Sequence, residues 1–196
     1  MALFRRKKEE FRPDTPTVKF SNRLYMSPQQ RRRWLKWILF SALCLVMLLL
    51  QDVIFSRISI RGATVDLVPC AVLLICVLQG AEAGAVFGLV AGLLYYLSGS
   101  APGVVVILLL PFFGAAAAAF RQGYLRKGFR ASMLCAGVAV ALYELTVFGT
   151  GLVLGITLLS RFWIALTMTV LAVVALPVIF PLVYGIAKIG GDTWKE

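Results

Sequence analysis

The chain has 196 residues, 60% of them hydrophobic, with mean hydropathy +0.88; a soluble domain carries roughly 45 to 50% apolar residues, so this is the composition of a membrane protein. It contains no histidine and only nine acidic residues, and the loss of the commonest general base and metal ligand argues against hydrolytic and zinc chemistry. The net charge of +11 is local rather than global: residues 1–37 hold eleven Lys and Arg against three acids, the other 159 positions nine against six.

Residues 1–33 are polar, contain Pro13, Pro16 and Pro28, and show no sustained apolar period. They are expected to form a basic, largely disordered cytoplasmic arm, with a short surface helix near 27–36. The run Arg31-Arg32-Arg33, with Lys36 beside the first apolar span, suits an anionic lipid surface and the positive-inside bias. Nothing in the arm has the spacing of a nucleic-acid-binding motif, and nucleic acid is not expected as a partner.

Trp34 to Phe55 supplies about twenty mostly apolar residues, enough at 1.5 Å per residue for the roughly 30 Å hydrocarbon core. A polar segment, 56–66, precedes two shorter runs, Leu67 to Leu78 and Ala83 to Leu97. Each of these helices covers on the order of 22 Å. They either thin the bilayer locally or form a hairpin shielded by longer neighbours. A fourth span runs from Gly103 to Phe120 and ends in RQGYLRKGFR, four cations without an acid. The fifth extends from Ala131 to about Leu154, and the sixth from about Arg161 to Ile186, interrupted by Pro177 and Pro181.

The expected fold is therefore all-α: a polytopic domain over 34–188 with six transmembrane helices, the second and third short, and a tail at 189–196. An even number of spans puts both termini on one side, which the basic residues make cytoplasmic. Cys44, Cys70, Cys76 and Cys135 all lie in apolar runs without metal-ligand spacing and read as small buried hydrophobes. No cofactor or metal is expected. No enzyme is expected either, since no nucleophile and base stand at helical spacing.

Gly80, Gly84, Gly88 and Gly92 recur every four residues, a stripe that permits close backbone approach between helices in lipid. Its mate is either another helix of this chain, with Gly114 to Ala119 the matching surface, or a different protein. Glu144 is the one ionisable residue deep in a span. At a cost of about 2.5 to 3.5 kcal/mol on insertion scales, it should face the bundle interior. There it either anchors a partner helix or ligand, or sits as a protonated carboxyl bonded to a neighbouring hydroxyl. Asp66 precedes Leu67 as a helix cap, with Pro69 in the first turn; Gln51 has no such simple explanation. In GLLYYLSGSAPG, 92–103, Tyr96 lies four residues beyond Gly92 and is expected to turn inward, and Tyr95 to meet lipid.

Leu50-Gln51 at the end of span one, Gly62 before Val65-Asp66-Leu67, the Gly-rich third span and the SGSAPG turn, in this order over about residues 38–190, resemble the rod shape-determining protein MreD family. The sequence departs from that family's usual Pro-Asp-Leu at 65–67, from its acidic residue near Tyr95 or Tyr96, and from its shorter N-terminus. The resemblance implies a non-enzymatic scaffold of the bacterial cell-elongation machinery in the inner membrane. Such a protein binds the bitopic protein MreC and, indirectly, MreB and the peptidoglycan synthase pair, a transpeptidase and a RodA-type polymerase. Its partner-binding positions would be Gly80, Gly84, Gly88, Gly92, Gln51, Asp66, Tyr96 and Glu144. The family's architecture is similar to the substrate-binding components of energy-coupling-factor vitamin transporters. The alternative function is therefore capture of a small, vitamin-like molecule in a depression lined by Gln51, Asp66, Tyr95 and Tyr96.

Overall fold

The computed structural model describes residues 28–55, 57, 62–125 and 128–189. The arm at 1–27 and the tail at 190–196 lie outside the described residues, as do Arg126 and Lys127. All the long elements are helices: α1 Pro28–Leu50, α2 Leu67–Gln79, α3 Ala81–Leu97, α4 Val106–Tyr124, α5 Phe129–Val153 and α6 Phe162–Ile189. Four of them are long and apolar enough to cross a membrane, with α1 reaching Phe55 through a π-helical turn, Gln51–Phe55. Helix α1 begins at Pro28, so the helix expected near 27–36 is continuous with the first span and carries Arg31, Arg32 and Arg33 exposed on its first turns.

Helix α2 is the axle of the bundle. Every residue from Leu67 to Leu78 is buried, and the helix touches all five others. This explains how only thirteen residues, about 20 Å of helix, are accommodated. Its ends and its sides meet protein rather than lipid, so a short element carries no exposed backbone into hydrocarbon. Around it the other five form a circuit, α3 to α4 to α5 to α6 to α1, that is closely packed at each junction except the last, where α1 and α3 barely meet.

The turn from α2 to α3 is a single residue. Gly80 takes φ +104°, a conformation that favours glycine over residues with a Cβ. Its N–H donates to the Cys76 carbonyl and its own carbonyl accepts from Gly84. The reversal brings α3 back along α2 and against α4, and here the glycine stripe is used inside the chain. A Cβ at Gly84 would stand 2.8 Å from the Cys76 Cα, one at Gly88 3.1 Å from the Pro111 Cα, and one at Gly92 3.3 Å from the Ile107 Cα. Gly114 of α4 closes on Cys76 from the other side, where a Cβ would lie 2.8 Å from its sulfur. Cys76 is thus clasped between two glycines, and its thiol donates to the Gly84 carbonyl at 3.1 Å.

The stripe named as a partner surface is accordingly corrected: Gly84, Gly88 and Gly92 are covered by α2 and α4, and Gly80 sits in the connecting turn. What faces outward on α3 is the opposite side, Val86, Leu89, Val90, Leu93 and Leu97. Similar apolar ridges line α1, α5 and α6, including Leu49, Leu134, Val138, Val174 and Val178. So much exposed aliphatic surface on every outer helix belongs in lipid. The chain is a membrane-embedded helical bundle.

A buried polar centre and an open apolar cleft

Three of the predicted polar positions converge at one end of the bundle. The π-helical turn at Gln51 ends the regular α1 ladder, a geometry that recurs at functional sites in helices, and the Gln51 side chain is buried with 8% of its surface exposed. Its Nε2 donates to the Asp66 carboxylate at 2.5 Å and to the Tyr95 hydroxyl at 3.0 Å. Its Oε1 accepts the Val68 backbone N–H at 3.1 Å. Tyr95 in turn donates to the same Asp66 oxygen at 2.9 Å. One amide side chain from α1 therefore ties the start of α2 to the end of α3.

This arrangement changes the roles expected of two residues. Asp66 occupies the position just before α2 but makes no side-chain capping bond. The free N–H of the first turn is satisfied by Gln51 instead, and the carboxylate is left to hold Gln51 and Tyr95. The tyrosines are exchanged as well: Tyr95 is fully buried and Tyr96 is 41% exposed. The cause is the helical period. Steps of four residues drift by about 40° per step at 3.6 residues per turn, so a contact face centred on Gly84 and Gly88 returns at Ala91, Gly92 and Tyr95, while Tyr96 has rotated past it.

The SGSAPG turn fastens the same corner. Gly99 takes φ +80°, Ser98 donates to the Tyr95 carbonyl at 2.7 Å, and the Ser100 hydroxyl donates to the Asp52 carboxylate in the π-helical turn. Its consequence is positional: the end of α3 is tied to the end of α1 twice, once in the interior and once at the rim.

Glu144 of α5 faces the interior as expected, with 9% of its surface exposed. Its Oε1 and the hydroxyl of the adjacent, fully buried Tyr143 have no hydrogen-bond partner among the described residues. Cys70 bridges toward α6, its thiol donating to the Asp66 carbonyl at 3.0 Å and lying 3.4 Å from the Ala172 carbonyl. The centre links its donors and acceptors chiefly to one another. Its chemistry is that of a lock between helices: Gln51, Asp66 and Tyr95 are bonded to one another, and Tyr96 lies exposed.

At the other end, Lys36 departs from the lipid-facing role assigned to it. It is 7% exposed, with its ammonium 5.5 Å from the Trp37 ring centroid. Trp37 packs against Phe40 and Phe87, each at a centroid distance of 5.9 Å. The Trp37 and Phe87 rings line a cleft of about 450 Å³ at the loose α1–α3 junction, together with Ser41, Cys44 and Leu45 of α1 and Ala83, Val90 and Leu94 of α3. The cleft is apolar and open to the lipid side. Sequence reasoning missed it because it is formed by a missing contact between two helices, which no residue pattern announces. Tyr143 and Arg121, both buried, were also missed; as a neighbour of Glu144 and as one charge of a basic loop they carried no separate signal.

Among the described residues no three of His, Cys, Asp and Glu are grouped as metal ligands. Comparison with protein-family models, with curated proteins and with solved structures finds no match to the chain.

Proposed function

We propose that the chain is a non-enzymatic scaffold of the bacterial cell-elongation machinery, of the MreD kind, which holds the transmembrane helix of MreC in the α1–α3 cleft. The observation that carries this reading is the open apolar junction between α1 and α3. A helix laid there would complete the circuit around α2. The small residues Ser41, Ala83 and Ala91 in its walls allow the close approach through which helices associate in lipid, and the Trp37 and Phe87 rings offer a firm floor.

The polar centre supports the same reading from below. By fastening α1, α2 and α3 together at one end it fixes the spacing of the two helices that border the cleft, so the docking site is preformed. In this reading the protein sits in the inner membrane with both termini in the cytoplasm, and reaches MreB and the synthase pair through MreC. A vitamin-binding role has less support, because the polar groups it would use are bonded to each other.

The test is co-purification of MreC in mild detergent with full-length protein carrying Val90→Trp, which fills the cleft from its exposed wall, against Val174→Trp on the exposed side of α6. At least a tenfold loss of MreC is expected for the first and none for the second, both remaining monodisperse. Equal recovery of MreC with Val90→Trp would overturn the proposal.

A further inference from the structure

The segment that joins α5 to α6 has a defined backbone. Helix α5 ends at Val153 and closes on Gly155, at φ +70°. The Gly155 N–H donates to the Leu152 carbonyl at 3.1 Å and the Ile156 N–H to the Gly151 carbonyl at 2.9 Å, the paired bonds of a glycine-closed helix end. The Thr157 N–H also reaches the Gly151 carbonyl, and a 3-10 turn, Leu159–Arg161, leads into α6. The backbone donors at 154–157 and 161 are thus bonded within the segment and the last turn of α5, as suits a chain with little water around it.

The side chains are arranged the wrong way round for water. Thr157 folds inward, its Oγ1 buried where a Cβ on Gly151 would lie 2.8 Å away. Val153, Leu154, Ile156, Leu158, Leu159 and Trp163 point outward, each 64 to 88% exposed. So contiguous an apolar patch marks a contact surface.

Depth along the helices says what covers it. The exposed cations Arg130 and Lys188 stand at the other end of the same two helices. Val153 lies about 34 Å along α5 from Arg130, and Trp163 about 37 Å along α6 from Lys188. With those cations at one edge of the roughly 30 Å hydrocarbon layer, the segment begins about 4 to 7 Å beyond the other edge, inside a bilayer about 40 to 45 Å thick with its headgroups. A tilt of about 20° lowers it by about 2 Å more. The patch also continues the lipid-facing sides of α5, at Leu142 and Leu145, and of α6, at Val170 and Val174.

We propose that residues 153–163 form an interfacial anchor, with Leu158, Leu159 and Trp163 seated at the boundary of headgroups and acyl chains and the exposed Arg161 among the lipid phosphates. Tryptophan favours that layer. The anchor sets how deep α5 and α6 stand in the bilayer, and it does not depend on which partner the α1–α3 cleft takes.

The test uses full-length Leu158→Cys carrying the environment-sensitive fluorophore NBD, reconstituted into vesicles of phosphatidylethanolamine and phosphatidylglycerol. The four native cysteines are buried, so brief treatment with a water-soluble maleimide labels position 158. Emission is expected to be blue-shifted, quenched at least twofold more by lipids with a nitroxide near the headgroup than by lipids with one near the chain end, and quenched by iodide at least threefold less than the glutathione conjugate of the same dye. Ile156→Cys, labelled in the same way, repeats the measurement if the first variant fails to reconstitute. Water-like emission with full iodide quenching would overturn the proposal by placing the segment in water. Shielding from iodide without quenching by either lipid would overturn it in favour of a protein cover, and stronger quenching from the chain end in favour of deep burial.

Discussion

Replacing Gln51 by leucine removes three hydrogen bonds that one side chain makes to three different groups: the Asp66 carboxylate, the Tyr95 hydroxyl and the Val68 N–H. Leucine fills nearly the same volume, so the effect is polar rather than a cavity. Hydrogen bonds between membrane helices average about 0.6 kcal/mol and reach about 1.7 kcal/mol. Leaving a buried acceptor or N–H unpaired adds about 1 to 3 kcal/mol. The carboxylate retains Tyr95 as a donor, which limits its share. The sum is a loss of about 2 to 4 kcal/mol for Gln51→Leu, against about 1 kcal/mol for Tyr95→Phe. The assay is reversible unfolding by titrating sodium dodecyl sulfate into mixed micelles, followed by far-ultraviolet circular dichroism. Because the residues share partners, the double variant should be less unstable than the two single losses added, by more than the 0.3 to 0.5 kcal/mol expected of independent sites. Additive effects, or a Gln51→Leu variant as stable as the parent, would refute the lock between α1, α2 and α3.

Tyr96→Phe leaves stability in the same assay within about 0.5 kcal/mol, since Tyr96 is exposed and outside the polar centre; a loss equal to that of Tyr95→Phe would reverse the assignment. Gly84→Leu forces a side chain where even a Cβ would approach the Cys76 backbone to 2.8 Å. Overpacking of about 1 to 3 kcal/mol is the lower bound for such a change, and size-exclusion chromatography should show loss of the monodisperse peak. Gly185→Ala, on an exposed and open stretch of α6, gains about 0.5 to 1 kcal/mol from helix propensity. The four buried cysteines resist a membrane-permeant maleimide until the bundle is unfolded; rapid labelling of Cys76 in the native protein would contradict its place between Gly84 and Gly114.

The six helices could be read from the sequence because each is a run of apolar residues bounded by charges or turn residues, and lipid makes such runs unambiguous. The four-residue glycine repeat correctly indicated a close-packed face. Its mate was open, and only the one-residue turn at Gly80, which folds α3 back along α2 and against α4, decides it. Burial of Glu144 followed from the cost of charge in hydrocarbon. The exchange of Tyr95 for Tyr96 came from following the glycine step rather than the 3.6-residue period of the helix. Gln51 could not be assigned from sequence because its partners lie 15, 17 and 44 positions away, and Asp66 looked like a cap because nothing local showed that a distant amide would take the Val68 N–H. The buried state of Lys36 and Arg121 depends on neighbouring helices in the same way.

The proposed docking of MreC in the α1–α3 cleft is tested most directly by photocrosslinking in rod-shaped bacterial cells, with a photoreactive amino acid placed at Val90 in the cleft wall or at Val178 on the exposed side of α6. A crosslink to MreC from Val90 and none from Val178 is the predicted result. A crosslink from Val178 alone, or none from Val90 while MreC still co-purifies, would contradict it.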